Sequence, residues 1–203
     1  MSYFLNTDRL VLRAFRIADA ERLFALHDDP EVMRFVDGTR HIGRWEIHTR
    51  TLPQFLYPFD HWEQQGYWAA HDRVTSGFLG WFEFRPVDED VPAVARLGCR
   101  LHRAAWGQGY ATEGARALID RGFTGLGVER VTASTPAVHA AARRVLEKAG
   151  LSVVRHGTGD RPEAVERSGR GGGGGGVEGG EGDGDVEYEL TRAGWERARR
   201  TPS

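Results

Sequence analysis

The spacing of apolar residues changes period several times along the chain, and each change predicts an element. Residues 9–15, RLVLRAF, alternate with a period of two and predict a strand, and Ala20, Leu23, Phe24 and His27 then recur at helical spacing within residues 18–27. Asp29-Pro30 predicts the start of a second short helix, because the fixed φ of proline suits the first helical position. From 43 to 65 a stripe of Trp45, Ile47, Leu52, Phe55, Leu56, Phe59 and Trp62 keeps helical spacing, but Pro53 and Pro58 require a kink or a break. The aromatic members, Trp45, Phe55, Phe59 and Trp62, suit a core or a pocket wall. GYWAAHD (66–72) and GFLGWFEFRP (77–86) predict a hairpin, and AVARLGCRL (93–101) a strand that extends the antiparallel run.

Helical periodicity returns at Ala111, Ala115, Leu118, Ile119, Phe123 and Leu126. It gives way to a strand, VERVTAST (128–135), then to the helix carrying RRVLEK (143–148), and the alternating segment DVEYELT (185–191) predicts a last strand. Strands and helices taking turns in this way predict a mixed α/β domain with a mostly antiparallel central sheet flanked by helices. Residues 169–184 hold eleven of the 27 glycines and almost nothing to bury, which predicts a flexible loop. Because a strand follows it, the loop belongs inside one domain spanning 1–203. The ending RARR (197–200) reads as a frayed helical tail.

At 203 residues and 40% hydrophobic content the chain is long enough for a substantial core. Its net charge of −2 lacks the positive excess that nucleic-acid binding or a polybasic membrane anchor needs. The lone Cys99 excludes an intramolecular disulfide and reads as a small buried hydrophobe, and the eight histidines form no helical metal-binding pair, so no metal is expected. With no hydrophobic signal segment and no long apolar run, a cytoplasmic protein is expected.

The chemistry concentrates in RAAWGQGYATEG (103–114), where a glycine-bearing turn follows a strand and opens a helix. Gly107 and Gly109 let the backbone bend until several N–H groups converge at the positive end of that helix, an arrangement suited to a phosphate. Two glycines that merely turn the chain are the plain alternative. No Gly-Lys-Ser/Thr follows, which argues against a nucleoside-triphosphate loop. A dinucleotide fold is disfavoured because the turn comes after antiparallel strands in mid-chain and Glu129 stands at the start of the next strand instead of at its end.

The sequence resembles the GNAT superfamily of acetyl-CoA-dependent N-acetyltransferases, in particular its RimJ/RimL-like branch. The resemblance rests on TDRLVLRAF (7–15), DDPEVMRFV (28–36), LHRAAWGQGYATEGARAL (101–118), GVERVTAST (127–135), AARRVLEKAGL (141–151) and DVEYELT (185–191). It implies that Gly107, Gln108, Gly109, Tyr110, Ala111 and Thr112 hold the coenzyme A pyrophosphate through backbone amides. The strand edge Leu101, His102 and Arg103 would bond the pantetheine arm as an added strand does. It further implies an amine acceptor, a protein N-terminus or a small molecule, and a possible homodimer.

Some positions differ from the family pattern. His139 and Ala142 replace an Asn-x-x-Ser pair, leaving His139 to donate any hydrogen bond to the cofactor. Arg96 stands where a glutamate base is often proposed, and Leu146 where a tyrosine acid is used. Glu83 and His102 are the replacement candidates for proton transfer, although Glu83 reads more readily as a structural or substrate-facing carboxylate and His102 as a residue beside the cofactor. Arg143, Arg144 and Lys148 either reach the cofactor 3′-phosphate or form a solvated face. These departures also admit a second reading, a catalytically silent acyl-CoA-binding or sensing module. Without a strong base, the amine must supply its own neutral form. At pH 7 an α-amine is neutral about 350 times more often than a lysine side chain, which favours weakly basic acceptors.

Overall fold

Strand residues alternate between two cores, one on each face of the sheet. In the computed structural model, which describes residues 4–35, 42–59, 64–88, 90–156 and 184–200, eight strands lie side by side. They are, in spatial order, β1 (Leu5–Asn6), β2 (Leu10–Ala14), β5 (Tyr67–Asp72), β6 (Phe78–Asp88), β7 (Val91–Leu101), β8 (Arg130–Pro136), β10 (Asp185–Thr191) and β9 (Ser152–His156). A separate pair is formed by β3 (Pro58–Phe59) and β4 (Gln64–Gln65). Within the large sheet every pairing is antiparallel except that of β7 with β8. The mixed, mostly antiparallel fold expected from the sequence is the fold observed.

On one face Leu10, Leu12, Phe82, Phe84 and Leu97 pack under α5 (Tyr110–Gly125), through Ala115, Leu118, Ile119 and Phe123. The helix approaches closely because Gly114 and Gly122 offer no side chain: a methyl there would fall 2.3 Å and 2.5 Å from the Cζ atoms of Phe82 and Phe84. Leu146 of α6 (Ala140–Lys148) joins the same core. The closing helix α7 (Arg192–Arg200) is docked and runs to Arg200, in place of a frayed tail: Trp195 packs against Phe123 and donates to Asp120 at 2.7 Å.

On the other face Tyr67, Ala69 and Trp81 pack against α1 (Ala20–His27), α2 (Pro30–Met33) and the helical run that follows. Pro30 opens α2 and Asp29 caps it by accepting the Glu31 N–H at 3.0 Å, as the sequence predicts. The helical run comprises α3 (Arg44–Glu46), a π turn (Ile47–Thr51) and α4 (Leu52–Leu56). It ends before Pro58, well short of residue 65, because the residue before a proline leaves the helical region. Ile47, Leu52 and Phe55 are buried, but Trp45 is 70% exposed and so does not belong to the core. Trp62 and residues 169–183 of the glycine tract lie outside the described residues. No described helix is long and apolar enough to cross a membrane.

Candidate active site

The parallel pairing of β7 with β8 runs only from Val94–Arg130 to Arg96–Thr132. Beyond that point β7 stays with β6 as far as Leu101, while β8 follows β10 to Pro136. The two strands therefore part and leave a gap in the sheet. Ala93 and Ala95 turn their carbonyls toward β8, accepting from the Glu129 N–H at 2.8 Å and the Thr132 hydroxyl at 3.3 Å, whereas His102 donates its N–H to Leu79 of β6 at 2.9 Å. Strand alternation then directs the main-chain groups of Cys99 and Leu101 into the gap.

The Cys99 side chain is exposed, which corrects the expectation of a buried hydrophobe. Its strand neighbour β8 has already departed, so solvent reaches the thiol although protein walls it on most sides. Desolvation by those walls pushes the thiol up to about 11, with Arg100 pulling the other way. A thiol protonated at neutral pH is no nucleophile.

At the end of the gap the strand stops at Leu101. Arg103–Ala105 form a 3₁₀ turn, and Gly107 and Gly109 follow in left-handed conformations with φ of 71° and 85°. Gly109 leads into α5 with no side-chain cap, so the first-turn N–H groups, which no helix satisfies internally, remain on offer. A methyl on Gly107 would meet nothing within 4 Å, leaving an open cradle of the kind a diphosphate fills. Arg9 holds the turn from behind: its Nη1 donates to the Gln108 carbonyl at 2.8 Å, its Nε and Nη2 reach Glu113 Oε2 at 2.7 and 2.6 Å, and its guanidinium lies over the Tyr110 ring. Because C=O and the next N–H point oppositely across a trans peptide, this grip turns the Gly109 N–H away from Arg9. Tyr110 donates to Asp72 Oδ2 at 2.7 Å; that bond and the N–H groups of Thr75 and Val74 hold Asp72 down at about 2, the Thr75 N–H contributing most.

The expected cofactor contacts are modified in detail. Leu101 lies on the edge, but its carbonyl already accepts the Trp106 indole N–H at 2.7 Å, leaving its own N–H. Arg103 stands in the 3₁₀ turn instead of on an extended edge, with its guanidinium 3.3 Å from Asp29. The main chain of His102 bonds β6, not the gap. Gln108 folds its amide back onto the Ala104 carbonyl and Tyr110 gives its hydroxyl proton to Asp72, so Tyr110 has only its backbone to offer an anion. Ala111 and Thr112 lie half-buried in the first turn of α5.

His102 lines a concavity of about 460 Å³ with Asp29, Phe78, Leu79 and Arg103, beside the turn but away from the gap. Burial lowers its pKa against the opposing charge of Asp29. Glu83 sits four ladder positions farther along β6 than Leu79, the partner of His102, and opposite Gly98, so roughly 13 Å separates the two and they do not act on one proton. Glu83 Oε1 accepts from Arg85 at 2.7 Å and from the Tyr67 hydroxyl at 3.4 Å, and Gln54 donates to that hydroxyl at 3.0 Å. Burial, reinforced by Glu83, pushes Tyr67 up to about 12. Glu83 Oε2 has no partner among the described residues and lies over Gly98, where an added methyl would come within 3.0 Å of it.

His139 precedes α6 and stacks on Phe35 at 4.0 Å, a contact that joins the end of α2 to the start of α6; burial lowers its pKa. Arg143 donates to the Tyr188 hydroxyl at 3.1 Å and Leu146 is buried in the core. Two contacts across the fold, that of His27 with Arg100 and that of Arg96 with Arg85, carry no local sequence signal. His27 is 4% exposed, with Nε2 at 3.0 Å from Arg100 Nη1 and Nδ1 unpartnered; burial, then Arg100, pushes it down to about 3. Arg96 faces Arg85 across the ladder.

A parted parallel pair ending in an uncapped helix behind two left-handed glycines sets an open strand edge beside a cradle suited to an anion. Residues 9–152 match the family described as acetyltransferase (GNAT) domain, and the chain belongs to that family. It is an acyltransferase. The chain is 33% identical over 155 residues to the uncharacterized protein YkkB of Bacillus subtilis, covering 72% of this chain and 84% of that one. It is 29% identical to the FsC-acetyl coenzyme A-N(2)-transacetylase of Aspergillus fumigatus, over 97% of this chain and 79% of the relative. Among solved structures, spermidine N-acetyltransferase from Vibrio cholerae in complex with CoA and spermine superposes with a TM-score of 0.71 at 14% identity, covering 94% and 99% of the two chains. RimL, the ribosomal L7/L12 alpha-N-protein acetyltransferase in complex with coenzyme A, gives 0.72 at 13% over 94% and 98%. These two likenesses concern the fold.

Proposed function

We propose that the protein takes acetyl from acetyl-CoA and transfers it to a primary α-amine by direct attack on the thioester. The observation that carries this reading is the juxtaposition of the uncapped α5 N-terminus with the unpaired edge of β7. The coenzyme A and acetyl-CoA bound by related structures fit this arrangement: a diphosphate on the Gly107–Thr112 amides, and an extended arm along Cys99 and Leu101. The Leu101 or Cys99 N–H is then the donor nearest the oxyanion that forms as the amine nitrogen bonds the thioester carbon. The attacking nitrogen gives up its extra proton to solvent, the C–S bond breaks, and the departing thiolate takes a proton from solvent, which leaves the amide and the free thiol. With Arg96 and Leu146 in place of the familiar base and acid, positioning supplies most of the acceleration, and the acceptor must be neutral often enough to react unaided. This favours an N-terminal or comparable α-amine within the RimJ/RimL-like branch, in the cytoplasm.

Calorimetry with acetyl-CoA, joined to thiol release over a panel of amines, tests the reading. Binding with faster acetylation of peptide α-amines than of lysine side chains at pH 7 is expected. Absence of cofactor heat overturns it. Tight binding with no thiol release on any amine supports the silent binding module, which Arg96, His139, Ala142 and Leu146 favour together.

A further inference from the structure

The helices on the α1 side reach only part of the way across the sheet. Their core takes its strand residues from β2's end, β5 and β6 and stops there, so the corresponding face of β7, carrying Arg96, Gly98 and Arg100, is left half-exposed beside the gap. Ladder partners place Arg85 opposite Arg96, Glu83 opposite Gly98 and Trp81 opposite Arg100. This small field therefore holds three guanidiniums and one carboxylate.

The arginines are held differently. Arg85 is bound to Glu83 at 2.7 Å, and Arg100 is held by the neutral imidazole of His27 and by the face of Trp81 at 5.2 Å. The Arg96 main chain is paired in the sheet, but its guanidinium has no hydrogen bond or ion pair among the described residues. It nevertheless stands directly across from another guanidinium, a pairing of like charges that costs stability in a sheet. A cost kept at the mouth of a binding gap is a sign of an anion that joins the site from outside. Beside it, Glu83 Oε2 is the free acceptor over Gly98, at the point where β7 carries no side chain to block approach. Residues two apart on a strand face are about 7 Å apart, so this cation and this free acceptor form an ordered pair of opposite charges along the edge of the gap.

We propose that the acceptor is a peptide N-terminus whose first residue is Asp or Glu, its α-amine received by Glu83 Oε2 and its side-chain carboxylate by Arg96. This rests on the acetyl-transfer reading and narrows its acceptor. Such a residue presents an amine and a carboxylate a few bonds apart, matching the two anchors in sign and scale. Polycations such as polyamines meet three guanidiniums here and are repelled.

The test uses tripeptide amides beginning with Asp or Glu, their isosteric Asn and Gln counterparts, and spermidine, with thiol release as the readout. One charge-assisted, bidentate contact predicts that the acidic peptides exceed the neutral ones about tenfold in kcat/KM. Arg96→Gln removes that preference, bringing acidic and neutral peptides to the same kcat/KM; Arg96→Lys keeps part of it. Because the Arg96 guanidinium has no partner among the described residues and faces a like charge, neither variant lowers the Tm, which separates loss of recognition from loss of fold. Peptide calorimetry in the presence of CoA gives the same ranking without turnover. Equal use of acidic and neutral peptides, a preference that survives Arg96→Gln, or spermidine as the better acceptor overturns the proposal while cofactor heat is retained. Absence of cofactor heat overturns the underlying reading instead.

Discussion

Replacing His27 by Gln should make the protein less sensitive to acid. His27 is buried at the end of α1, its Nε2 accepting from Arg100 and its Nδ1 facing no partner, so the folded state holds the ring neutral down to about pH 3. In the unfolded chain the same ring takes a proton below its ordinary 6.5. As the folded value is depressed, this stability is complete above pH 6.5 and is lost progressively as the pH falls toward 3. At pH 5 the ring alone costs about 2 kcal/mol, from 1.36 kcal/mol for each of the 1.5 pH units below 6.5. His71, His102 and His139 are also lowered by burial and push in the same direction, so the informative quantity is the difference between the two proteins. Asp19, whose burial is outweighed by Arg13 and Arg22 so that it is held at about 2, titrates below the interval from pH 7 to pH 5 and does not interfere there. Gln keeps an acceptor for Arg100 without a titrating group. Urea unfolding at pH 7 and pH 5 should show the native protein losing about 2 kcal/mol more than His27→Gln. Equal losses would refute the argument that this ring is held neutral.

The remaining predictions concern the turn, the gap and the close helix. Arg9→Ala should weaken acetyl-CoA binding by about tenfold in calorimetry, because charge-assisted bonds to Gln108 and Glu113 no longer fix the turn; an unchanged affinity would show that the glycines suffice. Cys99 should alkylate slowly at pH 7, its rate rising with pH toward 11 and falling when coenzyme A is present; rapid alkylation at neutral pH, or no protection, would remove the thiol from the floor of the gap. Gly114→Ala should lower stability by about 1–3 kcal/mol in urea unfolding despite the better helix propensity of alanine, because Phe82 is wholly buried and cannot yield. Gly43→Ala, with nothing within 4 Å of the new methyl, is the control.

Most elements were legible because their causes are local. Period-two alternation in RLVLRAF and in the 66–86 hairpin reports which residues face which core, and Asp29-Pro30 contains both the cap and the first helical residue of α2. The exceptions have local causes too. β9 shows no alternation because all five of its residues are exposed at the sheet edge. The 43–65 stripe predicts a kink or a break, and the prolines place it: Pro53 follows the π turn and Pro58 marks the stop. Trp195, by contrast, docks α7 through a partner seventy-five positions away, Asp120, which no short-range pattern reports.

The site was legible in the same uneven way, and the division falls between main chain and tertiary pairing. Gly107 and Gly109 announce a turn because only glycine adopts those φ values without strain, so the anion cradle can be placed from residue types alone. The gap cannot, because AVARLGCRL reads as a continuous strand whether or not a neighbour stays beside it; the departure of β8 after Arg96 is a property of two segments far apart in the chain. The same limit applies to side-chain chemistry. Cys99 looks buried in its strand pattern and is exposed because β8 has gone, while Glu83 looks like an isolated acid and in fact meets Arg85, Tyr67 and Gly98 through three separate strands. Arg96 shows the consequence most clearly. In sequence it is only the loss of a familiar glutamate, whereas in the sheet it is an unpartnered cation opposite another cation, so the position that loses a base gains a means of choosing the acceptor.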